Sequence, residues 1–412
     1  MSKAMKDSGI PWIGEIPKDW STDRAKNIFV QSTTKGNERL VLQSATQDRG
    51  VVDKDTLEGV VQVAADADLR TFKTVHIDDF VISLRSFQGG FEICHNEGVI
   101  SPAYTVFRLR KKSYTGYYRL LFKSYGFIDK INSLTVGIRE GKNIQYRDFA
   151  DMEIPIPSEV EQQRIAEFLD RKCGEIDEAI ALQEDFIEEL KAYKQSVITE
   201  AVTRGLNPNV KFKDSGIDWI GKIPEGWEVF RLKDVVKRRN QKVDDTTLQY
   251  IGLEHLVGFS EEMVETENVY DKGGSNMCFP DDVIFGKLRP YLGKVKVIRE
   301  QCCCSAEFLV LQGASVPTYV RYLMLSDWFI EIVNSSTYGA KMPRANADFI
   351  LNMNICFPSN IDQQRQIADY LDTKCFEIDS LIAIKQQKIE ELKDYKKSVV
   401  YEYVTGKKEI NV

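Results

Sequence analysis

The sequence predicts two mixed α/β domains, each followed by a long helix, with the second half of the chain a duplicate of the first. Three observations support this fold. Blocks of sequence recur in the same order, apolar residues with a heptad spacing end each half, and short β-rich runs lie between turns. With 412 residues, 43% hydrophobic and 28% charged, the chain has the composition of a core-forming protein and the length for more than one core.

The repeated blocks define the domain boundaries. Residues 6–14, KDSGIPWIG, recur at 213–221 as KDSGIDWIG, and the segment EQQRIAEFLD at 161–170 recurs at 362–372 as DQQRQIADYLD. Two copies of both blocks in the same order indicate a tandem duplication. The predicted domains are a first globular domain at 1–157, a first helix at 158–206, a second globular domain at 207–357 and a second helix at 358–412.

The helix of each half carries a seam with the alternating three- and four-residue spacing of a coiled coil. Gln183 and Lys194 interrupt the first seam, and Lys385 and Lys396 interrupt the second at the matching steps. Polar residues in a seam set register, so these positions are expected to fix how the helices align. The heptads alone leave parallel and antiparallel pairing both open. The apolar seam positions are Leu169, Ile176, Ile180, Ile187, Leu190 and Val197, with Leu371, Ile378, Ile382, Ile389, Leu392 and Val399.

The globular domains share a frame but differ in most of their sequence. Short β-rich runs at 79–83 and 282–285 and short helices at 117–124 and 319–326 are predicted at matching places. Trp12, Trp20, Trp219 and Trp227 recur in both halves, which favours packing anchors over base-stacking residues. The domains are therefore expected to share a scaffold and to carry different surfaces.

Catalytic and metal-binding motifs are missing. Residues 216–222 have the G-x-x-x-x-G-K spacing of a P-loop, but Ile223 replaces the required Ser or Thr. Asp281 and Asp282 with Lys287 could suggest a nuclease, yet the first half has no lysine matching Lys287. The eight cysteines and three histidines have no metal-ligand spacing, and no signal peptide or membrane span is evident. The sequence predicts a cytoplasmic binding protein with reduced cysteines, no cofactor and no metal.

The repeated Trp-Ile-Gly…Ile-Pro…Trp segments, the EQQRIAEFLD run with its echo, and the segment MEIPIP at 152–157 together resemble the DNA-specificity (S, HsdS) subunits of type I restriction–modification systems. The resemblance covers essentially the whole chain. It implies that each globular domain recognises one half of a bipartite, asymmetric duplex target. It also implies that the two helices form an antiparallel coiled coil with a pseudo-two-fold relation between the halves, setting the spacing and docking two methyltransferase subunits.

The same resemblance implies that methyltransferase and nuclease–translocase activities belong to partner subunits, so this chain would not be an enzyme. Comparison of the two halves gives candidate DNA-contacting residues in glycine-containing basic loops and in one basic run. These candidates are Arg85, Gln88, Arg139 and Lys142 in the first domain, and Lys237, Arg238, Arg239, Arg289, Tyr291, Lys294, Lys341 and Arg344 in the second.

Two other classes of protein are compatible with parts of the sequence. A self-contained DNA methyltransferase or nuclease conflicts with the missing motifs, whereas a coiled-coil scaffold that joins two proteins without DNA recognition fits the helices. The net charge of −7 is at first sight unusual for a DNA-binding protein. The segment 158–206 holds 6 basic and 12 acidic residues, and 358–412 holds 9 and 10, so the negative charge lies on the helices and the globular domains are neutral overall.

Overall fold

The computed structural model describes residues 4–36, 39–47, 49–57, 68–83, 90–111, 113–134, 144–243, 248–265, 274–339 and 341–410. The chain forms two compact units. The first contains Met1–Leu182 with Lys388–Val412, and the second contains Gln183–Gln387. None of the described helices combines the length and the apolarity that a membrane crossing requires.

The elements of the first half run from a short hairpin to a long helix. Its strands are β1 Met5–Asp7, β2 Glu15–Pro17, β3 Ser21–Arg24, β4 Phe29–Ser32, β5 Gln43–Thr46, β6 Gly50–Asp53, β7 Lys73–Val75, β8 Phe80–Ile82, β9 Phe91–Ile93, β10 Gly98–Ile100, β11 Thr105–Leu109 and β12 Glu153–Ile156. Its helices are α1 Ala25–Ile28, α2 Thr115–Lys123, α3 Tyr125–Leu134, α4 Tyr146–Ala150 and α5 Glu159–Arg204.

The second half repeats this order of hairpin, mixed domain and long helix. Its strands are β13 Phe212–Asp214, β14 Lys222–Pro224, β15 Trp227–Arg231, β16 Lys237–Arg238, β17 Lys242–Val243, β18 Tyr250–Ile251, β19 Ser275–Cys278, β20 Val283–Gly286, β21 Val295–Val297, β22 Cys302–Cys304, β23 Phe308–Gln312 and β24 Asn354–Pro358. Its helices are α6 Leu232–Val235, α7 Pro317–Leu325, α8 Asp327–Ser335, α9 Ala347–Asn352 and α10 Ile361–Val404.

The central sheet has the same strand order in each unit. In the first unit the order is β4-β11-β8-β9, and in the second it is β16-β23-β20-β21, with all neighbours antiparallel. The second unit adds the sheet β17-β19-β22-β18, in which β18 and β22 are parallel. The shared sheet is the duplicated scaffold, and the strands added around it differ.

The core of each unit packs helices against this sheet. In the first unit Phe29, Phe80 and Phe107 from the sheet contact Phe122 of α2, with ring centroids 5.2 to 6.1 Å apart. In the second unit Phe285 of β20 contacts Phe329 of α8 at 5.9 Å. Large aromatic side chains bury much apolar area each, so these rings supply a large share of the core.

The helices α3 and α8 correct the sequence-based prediction, which placed one short helix at 117–124 and one at 319–326. Each predicted helix is followed directly by a second one, after a single serine. The hydroxyl of Ser124 donates to the Leu121 carbonyl and that of Ser326 to the Leu323 carbonyl. Serine competes with the helical hydrogen-bond pattern in this way, so it ends one helix and allows the next to start in a new direction.

The starts of the two long helices are capped by different residues. The Glu161 N–H donates to the Ser158 hydroxyl at 3.3 Å, as the capping-box pattern predicts. At the second helix the side chain of Asn360 accepts from the N–H groups of Asp362 and Gln363. The cap of this helix is therefore Asn360, a residue type that caps helices as well as serine does.

Helices α5 and α10 pair antiparallel within each unit. In the first unit Leu169 and Cys173 near the start of α5 share a core with Val399 and Val404 near the end of α10. In the second unit the end of α5 packs against the start of α10, as Val202 and Leu371 share a core. The prediction of mixed α/β domains with an antiparallel pair of long helices is confirmed. The apolar seam positions named above are buried or half-buried.

The four repeated tryptophans are not equivalent. Trp20 and Trp227 are buried, and Trp12 packs on Phe127 while the Tyr401 hydroxyl donates to its carbonyl at 2.9 Å. Trp219, predicted to be a packing anchor, is 49% exposed. The position that matches Tyr401 in the other repeat is Thr199, which instead accepts a hydrogen bond from the Asp327 N–H. A threonine is too short to cover the indole, which explains the exposure.

Candidate nucleic-acid interface

The candidate loop 289–294 follows strand β20 and is held in a tight turn. Arg289 adopts a left-handed backbone with a φ of 50°, and residues Pro290–Leu292 form one turn of 3-10 helix. The Leu292 N–H donates to the Arg289 carbonyl at 3.0 Å. Arg289 and Tyr291 are exposed on this turn. A rigid turn with an exposed guanidinium and an exposed ring suits contact with phosphates or base edges.

The second candidate segment, 341–344, lies beside this loop. Leu288 and Arg344 form an antiparallel bridge, and the Arg289 N–H donates to the Pro343 carbonyl at 2.7 Å. The Ala345 N–H donates to the Lys287 carbonyl at 2.9 Å, which extends the pairing. Two segments that the sequence proposed separately therefore form one surface, on which Lys341 is exposed.

The basic run Lys237-Arg238-Arg239 is divided between solvent and core. Lys237 and Arg238 are exposed on β16, the edge strand of the central sheet. Arg239 points inward, donates to both carboxylate oxygens of Asp282 at 2.7 and 2.9 Å, and lies 4.5 Å from the Phe279 ring. The hydrogen bonds to Asp282 raise the pKa of Arg239. Its guanidinium is occupied inside the protein, since alternate residues of a strand face opposite sides.

Lys294 also bonds inside the protein. Its Nζ donates to the Leu253 carbonyl at 2.6 Å, and the side chain is half-buried. Arg344 is shared between the surface and an ion pair, because its Nη2 lies 3.0 Å from the Glu307 carboxylate. The candidates of the first domain, Arg85, Gln88, Arg139 and Lys142, lie outside the described residues.

Lys287 lies beneath this surface, next to segment 341–344, and was not among the candidates. It is buried at the end of β20, and its Nζ donates to the Ala306 carbonyl at 2.9 Å. Burial lowers its pKa, and the positive charges of Arg344, Arg238 and Lys242 lower it further, whereas the negative charge of Glu307 raises it. We refer to Arg238, Lys242, Lys287 and Arg344 as the basic patch. The sequence feature that could have identified Lys287 is its position between a buried strand and a candidate loop.

The repeated Asp-Asp pairs are structural and do not form a nuclease site. Asp282 accepts the Phe279 N–H and the Arg239 guanidinium, and Asp79 accepts the His76 N–H at 3.0 Å and Arg108 Nη2 at 2.8 Å. Each buried carboxylate pairs with an arginine, Asp79 with Arg108 of β11 and Asp282 with Arg239, which directly follows β16. Within the described residues no group of three or more His, Cys, Asp or Glu side chains is placed to hold a metal ion.

The cysteines and the glycine-rich segment also carry no catalytic geometry. All eight cysteines are buried free thiols, and burial raises the pKa of Cys356 to about 12, which keeps its thiol protonated and unreactive. The segment 216–222 runs into strand β14, whereas a P-loop needs a helix N-terminus behind its glycines.

Comparison with known proteins agrees with this description. Residues 224–394 match the family model described as type I restriction modification DNA specificity domain. The type I restriction enzyme MjaVIII specificity subunit of Methanocaldococcus jannaschii is 26% identical over 285 residues, covering 64% of each chain, so the match spans just under two thirds of that relative. The EcoDI specificity subunit of Escherichia coli is 23% identical over 392 residues, covering 87% of this chain and 84% of that one.

Two solved structures share the fold. A chain described under "Structural basis underlying complex assembly and conformational transition of the type I R-M system" matches with a TM-score of 0.71 at 14% identity, covering 94% of this chain and 98% of that one. The HsdS subunit from Thermoanaerobacter tengcongensis matches with a TM-score of 0.53 at 16% identity, covering 95% and 98%. At these identities the likeness concerns the fold.

Fold, basic surface and domain match point to one class of protein, the DNA-specificity proteins of the type I restriction–modification kind. Residues 224–394 match the specificity-domain model, and most of the chain is similar to type I specificity subunits.

Proposed function

We propose that this chain is the non-catalytic DNA-recognition subunit of a type I restriction–modification complex. The observation that carries the proposal is the surface of the second unit, where loop 289–294, segment 341–344 and the basic patch converge within the family's DNA-specificity domain. Positive side chains from three separate segments of one unit are what binding to a phosphate backbone requires.

Each globular domain would recognise one half of a bipartite duplex target. The repeated central sheet, with different strands and loops around it, supports this division of labour. One scaffold would place two surfaces of different specificity, with Arg289, Tyr291, Lys341 and Arg344 among the contacts of the second. In the first domain the contacts would be Arg85, Gln88, Arg139 and Lys142.

The long helices would set the distance between the half-sites and dock two methyltransferase subunits, with nuclease–translocase subunits joining in the full complex. Exposed apolar side chains on both helices support docking, among them Leu182, Phe186, Phe376 and Ile384. Exposed apolar side chains do not stabilise helices in water, whereas a docked partner would bury these side chains. The acidic excess of segment 158–206 also suits a protein partner better than DNA.

The test is selection from a randomised duplex library by the full chain bound to its methyltransferase subunit. We expect two short enriched sequences at a constant separation, together with no methyl transfer by the chain alone. If the complex enriches no sequence, the proposed recognition role is wrong, and a coiled-coil scaffold that joins two proteins without DNA recognition is favoured. Methyl transfer by the isolated chain would show that it is an enzyme.

A further inference from the structure

The side chain of Lys194 on α5 connects three parts of the second unit. Its Nζ lies 2.7 Å from both carboxylate oxygens of Asp379 on α10, and it also donates to the Phe259 carbonyl at 2.9 Å. The side chain of Lys194 is only 10% exposed, whereas Asp379 is 46% exposed. A buried ammonium needs acceptors for its three protons, and these partners supply them.

Phe259 lies in a hairpin, residues 253–264, that contacts the candidate DNA-binding loop. The Phe259 N–H donates to the Gly293 carbonyl at 2.9 Å, and Phe259 has a φ of 55°. For a bulky residue this left-handed backbone is unfavourable, so the surrounding contacts must hold it. Gly258 is packed so closely that an added Cβ would lie 1.9 Å from the Leu292 carbonyl oxygen.

Two lysines, one at the end of the loop and one on strand β21, bond to the same hairpin. Lys294 donates to the Leu253 carbonyl at 2.6 Å, and Lys296 donates to the Glu261 carbonyl at 2.8 Å. The hairpin is therefore a strut between Lys194 of α5 and loop 289–294. The backbone of Phe259 makes both connecting hydrogen bonds, since its carbonyl accepts from Lys194 and its N–H donates to Gly293.

In the part of the chain that the structure describes, the matching lysine of the other helix makes no such bond to a globular domain. Lys396 Nζ lies 2.7 Å from both oxygens of Asp177, but its side chain is 35% exposed. Among the described residues its hydrogen bonds go to Asp177. The two halves thus share the interhelical ion pair, and the described strut belongs to the second.

We propose that Lys194 is a positioning residue that holds loop 289–294 in place relative to helix α5 through its bond to Phe259, so that recognition by the second domain depends on this link. The inference rests on the proposed DNA recognition. Loss of the bond from Lys194 is transmitted to Phe259, Gly293 and then Arg289, while the first domain keeps its own preference.

The first test is hydrogen exchange of the full chain carrying Lys194→Met. We expect the Phe259 amide to exchange faster by about tenfold, the effect of losing a hydrogen bond to a charged donor nearby. Lys396→Met removes the matching ion pair without touching the strut and should leave this amide unchanged. Asp379→Asn keeps Lys194 and its bond to Phe259, so it should also leave the amide protected.

The second test repeats the randomised duplex selection with the same variants bound to the methyltransferase subunit. Lys194→Met should lose the preference at one half-site and retain the other. Gly258→Ala, which pushes the hairpin away from Leu292 with the ion pair intact, should produce the same loss and serves if Lys194→Met does not fold. Lys396→Met and Asp379→Asn should keep both preferences.

The results separate the two proposals. If the wild type enriches no sequence, DNA recognition is wrong, and hydrogen exchange alone then decides whether the strut exists. If the wild type enriches both half-sites and Lys194→Met and Gly258→Ala do so equally well, the positioning role is overturned while recognition stands.

Discussion

The guanidinium of Arg239 donates two hydrogen bonds to the carboxylate of Asp282, at 2.7 and 2.9 Å. In the first unit Arg108 pairs with Asp79 at 2.8 Å. The aspartates occupy matching turns, but the arginines come from strands that do not match. Arg239 follows β16, whereas Arg108 lies within β11. A buried carboxylate requires a countercharge, and the duplication met this requirement in two ways.

Loss of the Asp282 carboxylate should destabilise the second unit. We expect Asp282→Ala to lower the free energy of unfolding by roughly 3 kcal/mol, because Arg239 remains largely buried without its partner. Asp281→Asn changes the exposed neighbour, whose φ of 70° asparagine tolerates, and should stay within about 0.5 kcal/mol. Urea unfolding measures both. Equal stability of the two variants would contradict a structural role for the pair.

Truncation in the helix seam should be costly only where the seam is buried. Leu169→Ala should cost about 3 kcal/mol, since Leu169 is fully buried in the first unit's core. Leu182→Ala is the matched control, because Leu182 is 64% exposed on the same helix and should change stability by less than about 0.5 kcal/mol. Thermal unfolding of the isolated chain compares them. A small effect at Leu169 would mean that the helices do not pair there.

Charge reversal on the proposed interface should weaken duplex binding. For the complex with the methyltransferase subunit, Arg238→Glu with Lys341→Glu should reduce affinity. The same pair should lower the slope of log K against log salt by about 0.9 for each phosphate that is no longer neutralised. Lys388→Glu with Lys393→Glu makes the same charge change on α10 and should leave the slope unaltered. Fluorescence anisotropy at several salt concentrations gives both quantities. Identical slopes for the wild type and the Arg238→Glu, Lys341→Glu variant would favour a coiled-coil scaffold without DNA recognition.

Alkaline pH should destabilise the first unit through Tyr118. Burial raises the pKa of Tyr118 to about 12, above the ordinary 10.0 of an unfolded tyrosine. The contribution of the neutral phenol is therefore complete below pH 10 and is lost as the pH rises toward 12. The unfolding free energy of Tyr118→Phe should fall less steeply across this range than that of the wild type. Tyr338→Phe, which removes an exposed hydroxyl, controls for the substitution, and parallel curves for wild type and Tyr118→Phe would contradict the assignment.

The features of the structure that could be predicted are those that depend on motifs and spacing along the sequence. The duplication, the two long helices and their polar seam positions follow from spacing along the chain, and the family follows from motifs such as EQQRIAEFLD. The missing catalytic motifs follow in the same way. The breaks at Ser124 and Ser326 escaped prediction, because one serine between two helix-forming stretches is a weak signal compared with the packing that turns the chain there.

The interface itself was decided by tertiary structure. Arg238 and Arg239 are neighbours of the same type, yet Arg238 is exposed on β16 while Arg239, directly after the strand, is half-buried and bonded to Asp282. Lys287 joins the basic patch, and Arg289 meets Pro343, only because the end of β20 pairs with a segment far along the chain.

For the two long helices, too, one part of the structure follows from the sequence and another part only from the tertiary structure. The sequence by itself determined that lysines interrupt both seams at matching steps. Only the tertiary structure decided that Lys194 would be buried between Asp379 and Phe259 while Lys396 stays partly in solvent. The physical reason is that a side chain's partners come from segments distant in sequence, and which segment approaches depends on the packing of the whole unit.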